Sequence, residues 1–224
     1  MFKFIPSKHD EKLIQVHFDC NVASNEEAPA IIIAHPYGPL GGNINNNVVI
    51  SIQRHFVSRG YITACINFRG CGKSQGRTSW TGIPEQHDYQ SVLEYLTTNH
   101  QALAYPKPSK FILCGYSYGA MIANSIECTN LPCAYLLISL PLGVMWALAT
   151  TKQHVFKKQR AQPTLCIYGD RDQFTGTSRF LNWCRGFTNI TNHCVQGADH
   201  FWFDYEQELL DHVENWRLAL SLVG

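Results

Sequence analysis

The sequence predicts an α/β fold, a mostly parallel, twisted sheet with helices on both faces. Short β-branched runs alternate with longer amphipathic stretches along almost the whole chain, the pattern of repeated strand–helix units. Residues 30–34 are continuously apolar, as suits a strand buried on both sides. Hydrophobic residues make up 45% of the 224 positions and charged residues 16%, enough apolar material for a large interior. With no repeat, low-complexity linker or composition shift, residues 1–224 are expected to form one domain.

Residues 12–18 form an early strand, antiparallel to a neighbour, and residues 30–34 the first buried one. Residues 48–58 have helical spacing, with Val49, Ile52, Phe56 and Val57 facing inward. Residues 61–67 are the next strand, followed by a helix over 85–98, a strand over 110–114, a helix over 117–128 and a strand over 134–139. Pro163 introduces a strand over 164–168. A helix over 178–184, a strand over 190–196 and a last helix over 205–220 complete the alternation. In such sheets working residues gather in loops at the carboxyl ends of the strands.

Charge and composition exclude several functions. The net charge is +1 with scattered lysines and arginines, so there is no footprint for nucleic acid or an anionic membrane. The densest basic group, Lys157-Lys158-Gln159-Arg160, reads as a solvated helix end. No apolar run is long enough for a signal peptide or a membrane span, and no lipidation signal is present, so no stable membrane association is expected. Nine cysteines, an odd number with no C-x-x-C pair, sit mostly in apolar runs and point to reduced thiols in the cytoplasm. No H-E-x-x-H or paired-cysteine spacing occurs, so neither a metal nor a cofactor is expected. Gly70-Cys71-Gly72-Lys73-Ser74 looks like a phosphate-binding loop, but Asn67 stands where that motif needs glycine, and the run reads as a turn.

The chemistry concentrates at Gly115-Tyr116-Ser117-Tyr118-Gly119, between the strand over 110–114 and a helix. G-x-S-x-G in a strand–turn–helix setting presents a serine on a strained turn, near helix amides that favour developing negative charge. The plain alternative is that Ser117 only caps the helix. A serine hydroxyl needs an imidazole to take its proton and a carboxylate to orient that imidazole. The strand over 164–168 runs into Gly169-Asp170-Arg171-Asp172, and the strand over 190–196 into Gly197-Ala198-Asp199-His200. Two carboxylates and then one histidine therefore follow Ser117 in the order this topology requires.

With these motifs the sequence resembles the α/β-hydrolase superfamily over essentially its whole length. It is most similar to small cap-less serine hydrolases of the H-P-H-P or dienelactone-hydrolase-like type. Its first active-site loop reads His35-Pro36-Tyr37-Gly38-Pro39-Leu40-Gly41-Gly42, and Asn67-Phe68-Arg69-Gly70-Cys71-Gly72-Lys73-Ser74-Gln75-Gly76 matches the family's F-R-G-x-G-x-S-x-G loop. The resemblance implies Ser117 as nucleophile, His200 as general base and Asp172 as acid, with Asp170 the competitor, better suited to a surface ion pair with Arg171. It also implies an oxyanion hole from the backbone amides of Tyr37 and Tyr118. Tyr37 replaces the second histidine of H-P-H-P, which leaves a backbone donor intact. His35 is expected to support the loop, by packing or a hydrogen bond.

Many relatives insert a cap after the strand that here ends near Ser139. Residues 140–162 leave room only for a loop and one helix, so an open site without a cap domain is expected. Trp146, Phe174 and Phe201 are the candidate substrate-binding residues. Tyr37, Tyr116, Tyr118 and Trp202 lie nearby, with Tyr116 and Trp202 assigned to the core. The expected activity is cleavage of a small-molecule carboxylic ester or thioester through an acyl-enzyme. A peptidase or amidase, or a non-catalytic binding scaffold of the same fold, is the alternative.

Overall fold

In a computed structural model of the protein, residues 1–128, 131–144, 161–185 and 187–221 are described. Eight strands form one sheet: β1 (Phe2–Pro6), β2 (Leu13–Asp19), β3 (Glu27–Ala34), β4 (Ile62–Ile66), β5 (Lys107–Tyr116), β6 (Cys133–Ile138), β7 (Thr164–Gly169) and β8 (Ile190–Val195). The helices among the described residues are α1 (Asn47–Val57), α2 (Ile83–Asn99), α3 (Tyr118–Ser125), α4 (Thr177–Cys184) and α5 (Glu206–Ser221). The strand order is β1-β2-β4-β3-β5-β6-β7-β8. β3 to β8 run parallel, while β2 is antiparallel to both β1 and β4.

The run Ala30-Ile31-Ile32-Ile33-Ala34 is apolar throughout because β3 feeds two cores. Ala30, Ile32 and Ala34 pack with Tyr89, Leu93 and Met121 on the face covered by α2 and α3. Ile31 and Ile33 pack with Val49, Phe56, Leu209 and Trp216 on the face covered by α1 and α5. The period of two along the strand sends alternate side chains into each layer. From β3 the chain moves through α1 to β4 on one side, then returns through α2 to β5 on the other. This reversal opens a crevice at the carboxyl ends of β3 and β5.

Local signals set the element ends. The Asn46 side chain accepts from the Val48 N–H at 3.0 Å and starts α1, and Pro84 stands in the first turn of α2. One strand is added to the sequence reading, and two expectations are corrected. β1 is absent from the sequence reading because its period is muted at the sheet edge, where Phe2 and Phe4 stay exposed. The helix expected over 117–128 ends at Ser125, since Ile126 turns to extended backbone, buries its side chain and accepts from the Tyr135 hydroxyl. Val57 is half-buried outside both cores, whereas His55 lies inward and reaches Glu214 at 2.9 Å. The helix expected within 140–162 and the basic group at 157–160 lie largely or wholly outside the described residues.

The glycine-rich loop after β4 packs as a turn against β2. Lys73 N–H and Asn67 Nδ2 both donate to Gln15 Oε1 at 2.9 Å, and Gln15 N–H donates to Ser74 Oγ at 2.8 Å. Arg69 leaves the loop for the interior, where its guanidinium meets both oxygens of Asp88 at 2.6 and 2.9 Å. Asp10 and Ser7 take the remaining donors at 3.2–3.3 Å. A buried pair of this kind holds geometry more than it adds stability, and losing one partner strands the other charge. Arg69→Met should therefore lower unfolding free energy by about 3–5 kcal/mol in urea titrations, and Arg69→Met with Asp88→Leu should recover most of that loss.

Candidate active site

The carboxyl ends of the parallel strands carry every residue that matters here. β5 runs straight into Ser117, whose backbone sits at φ +56°, ψ −120°, a region L-residues enter only under strain. The flanking glycines make the turn possible. A Cβ on Gly115 would collide with the Gly119 carbonyl, and one on Gly119 with the carbonyls of Ala34 and His35 at the end of β3. The Ser117 amide donates to Ile138 O of β6 at 2.9 Å, which fixes the turn against the next strand. The Ser117 side chain makes no capping bond to α3, so the helix-cap alternative fails.

Ser117 Oγ instead lies 2.9 Å from His200 Nε2, and His200 Nδ1 lies 2.9 Å from Asp172 Oδ2. All three are buried. The Asp172 carboxylate can only accept, so Nδ1 carries the proton and Nε2 is left to accept from the serine hydroxyl. Burial pushes the Asp172 carboxyl up, but the His200 and Ser139 side chains and the Thr175 amide outweigh it and hold the group below its ordinary range. Oδ1 accepts the Phe174 and Thr175 amides at 2.9 and 3.0 Å, and Thr175 Oγ1 donates to Oδ2 at 2.9 Å. Every lone-pair direction of this buried charge is used.

Of the two candidate acids, Asp172 is thus the one brought to His200. Asp170 is exposed, and its carboxylate accepts the Gly197 amide at 2.7 Å, bracing the histidine loop where an ion pair with Arg171 was expected. Sequence reasoning missed Ser139, at the end of β6 with φ +47°, whose Oγ accepts the Trp202 indole N–H at 2.9 Å. It also missed Tyr116 as a hydrogen-bonding residue: its hydroxyl donates to the His200 carbonyl at 2.5 Å. Buried Tyr and Trp require partners for their polar tips, but the partners are remote in sequence.

His35 is fully buried in the loop after β3. Its Nε2 accepts the Phe68 amide at 3.0 Å, so Nδ1 bears the proton and donates to Pro36 O at 2.5 Å. It therefore links the two loops beside the site. Among the described residues, the amides of Tyr37 and Tyr118 donate to no acceptor. The carbonyl of Tyr37 is engaged by the Leu40 and Gly42 amides at 3.1 Å, which holds that loop in a tight turn.

Ser117 and His200 open into a pocket of about 200 Å³ walled by Pro36, Tyr37, Leu40, Pro141, Val144, Phe174 and Phe201. Phe174 and Phe201 both line this pocket, and Phe201 is 47% exposed at its mouth. Tyr116 also lines the pocket although it is buried, while the Tyr118 and Trp202 rings belong to the cores. Trp146 lies outside the described residues. No cluster of three or more His, Cys, Asp or Glu side chains able to hold a metal occurs among the described residues. No helix among them is long and apolar enough to cross a membrane.

A mostly parallel sheet with this turn at its centre, and no cap domain interrupting its described part, defines an α/β hydrolase. Residues 22–175 match the X-Pro dipeptidyl-peptidase family (S15), and the chain belongs to that family. An uncharacterized protein of Rickettsia prowazekii is 28% identical over 193 residues, covering 83% of this chain and 76% of that one. Among solved structures, a protein of unknown function from Agrobacterium tumefaciens aligns over 100% of this chain and 97% of its own, with 23% identity and a TM-score of 0.82. An α/β serine hydrolase without a lid from Xanthomonas campestris covers 96% and 92%, with 20% identity and a TM-score of 0.77. At such identities the structural likeness speaks for the fold.

The His35 environment yields a pH dependence. Burial lowers its pKa to about 4, partly opposed by the Pro36 carbonyl. Unfolded histidine titrates near about 6.5, so between the two values the unfolded chain binds the extra proton and folding loses stability as pH falls. Urea titrations from pH 7 to pH 4 should show a loss of about 3 kcal/mol from this residue, and His35→Gln should flatten that part of the curve.

Proposed function

We propose that the protein hydrolyses carboxylic esters or thioesters through an acyl-enzyme on Ser117. The supporting observation is the continuous hydrogen-bonded chain from Ser117 Oγ through His200 to Asp172, opening into an apolar pocket. His200 Nε2 takes the serine proton as Oγ attacks the carbonyl carbon, and the Asp172 carboxylate stabilises the imidazolium that forms. The developing oxyanion is received by the Tyr37 and Tyr118 amides, which have no acceptor among the described residues. His200 then returns the proton to the leaving alcohol or thiol, and water repeats the sequence to release the acid. Phe174 and Phe201, which line the pocket, flank the acyl group.

The S15 family match favours a second reading, a peptidase that removes X-Pro dipeptides. Such a substrate carries an N-terminal ammonium, which needs a carboxylate or several acceptors to hold it. The described pocket lining contains no acidic side chain, and this supports an uncharged acyl group. We also propose a reducing, cytoplasmic setting and a single domain over residues 1–224. Burial pushes up the thiols of Cys65, Cys71 and Cys184, the behaviour of structural rather than reactive cysteines.

Ser117→Ala and His200→Ala should each abolish p-nitrophenyl ester turnover and labelling by a fluorophosphonate probe. Labelling that persists in Ser117→Ala would sink the assignment. Asp172→Asn should lower kcat by about 10⁴-fold, because the amide stabilises the wrong imidazole tautomer, while Asp170→Asn should leave most of the rate. Turnover of Ala-Pro-p-nitroanilide exceeding that of p-nitrophenyl acetate would select the peptidase reading.

A further inference from the structure

We propose that Tyr116 is a positioning residue that fixes the His200 imidazole by holding its backbone carbonyl, with the Trp202 indole as a second tether of the same loop. The inference rests on the ester-hydrolase reading of the site.

His200 belongs to no helix or strand; it lies in the loop between β8 and α5. That loop contains two non-glycine residues with left-handed backbone, Trp202 at φ +63° and Asp204 at φ +67°. A segment in such a conformation relaxes unless its surroundings over-determine it. The surroundings here are specific. Tyr116 Oη donates to His200 O at 2.5 Å, and Tyr116 is the immediate neighbour of Ser117. One hydrogen bond thus ties the rigid turn that bears the nucleophile to the residue that must accept its proton.

On the far side, Trp202 is fully buried and its indole N–H donates to Ser139 Oγ at 2.9 Å. The backbone between is turned by Asp199, whose carboxylate accepts the Phe201 amide at 2.8 Å. Asn47 Nδ2 donates to Phe201 O at 3.0 Å. The imidazole itself stands between the Tyr116 ring, 5.6 Å away, and the Phe174 ring, 4.7 Å away. Tyr116→Phe keeps the ring and its packing but removes the donor, leaving a buried carbonyl without a partner.

The test compares Tyr116→Phe with Tyr89→Phe, which removes an equally buried hydroxyl from the Ile32 and Cys114 carbonyls, within the sheet. Steady-state kinetics on p-nitrophenyl acetate, the rate of fluorophosphonate labelling and thermal unfolding are measured for both. Tyr116→Phe should lower kcat and the labelling rate by about tenfold with KM unchanged, the signature of a misplaced reacting group. Tyr89→Phe should lower Tm with kcat unchanged. Trp202→Phe should repeat the loss in kcat, and serves in its own right if Tyr116→Phe does not fold.

An unchanged kcat in Tyr116→Phe, or in Trp202→Phe where that variant stands in for it, overturns the proposal. So does an equal rate loss in Tyr89→Phe, which would make the effect one of general stability. Ser117→Ala run alongside separates the two levels. If it loses labelling while Tyr116→Phe keeps full rate, only the positioning role fails; if it still labels, the ester-hydrolase reading itself fails.

Discussion

The turn at Ser117 is the constraint on which the rest of the site depends. Its backbone is held in a strained region by contacts on three sides: the Gly115–Gly119 approach, the Ala34 and His35 carbonyls, and the Ile138 carbonyl that accepts the Ser117 amide. Strain of this kind costs about 1–3 kcal/mol and persists only where neighbouring structure leaves no alternative. The neighbours here are the central strands β3, β5 and β6, whose packing is dictated by two apolar cores. Folding energy from the sheet therefore keeps one serine hydroxyl pointing out of the helix axis and into a crevice. That same approach of Gly119 to β3 sets how closely the Tyr37 loop can lie to the start of α3.

A buried carboxylate is the second condition. Asp172 is tolerated inside the protein because amide, hydroxyl and imidazole donors occupy both oxygens. Arg69 and Asp88 meet the same requirement by direct ion pairing, and their job is to fasten a loop. The two buried carboxylates differ in what faces them. Asp88 meets a permanent cation, whereas Asp172 meets the His200 imidazole, whose proton-bearing Nδ1 it orients.

The chain belongs to the S15 family, and its likeness to a lid-less serine hydrolase speaks for the fold. A fold of this kind hosts many reactions, and selectivity resides in the loops around the serine. The wall formed by Leu40, Phe174 and Phe201 comes from three different strand ends, so its character is a property of the loops and not of the sheet.

Much of this was legible from residue order alone. Strand and helix periodicities, Gly115-Tyr116-Ser117-Tyr118-Gly119, and the succession of acidic residues and His200 are local patterns, set by backbone sterics and side-chain alternation. Edge strand β1 and the early end of α3 were not legible, because pairing with β2 and the burial of Ile126 are decided by distant partners. The choice between Asp172 and Asp170 was open for the same reason. Two residues apart in one loop, they differ only in which reaches across to His200 and which to Gly197. Hydroxyl and indole partners such as Tyr116 with His200 O and Trp202 with Ser139 are longer-range still. At Ser117 the sequence by itself determined the turn, since only glycine admits the backbone approach. Tertiary structure alone decided what the hydroxyl meets, because a hydrogen bond depends on distances that chain order does not contain.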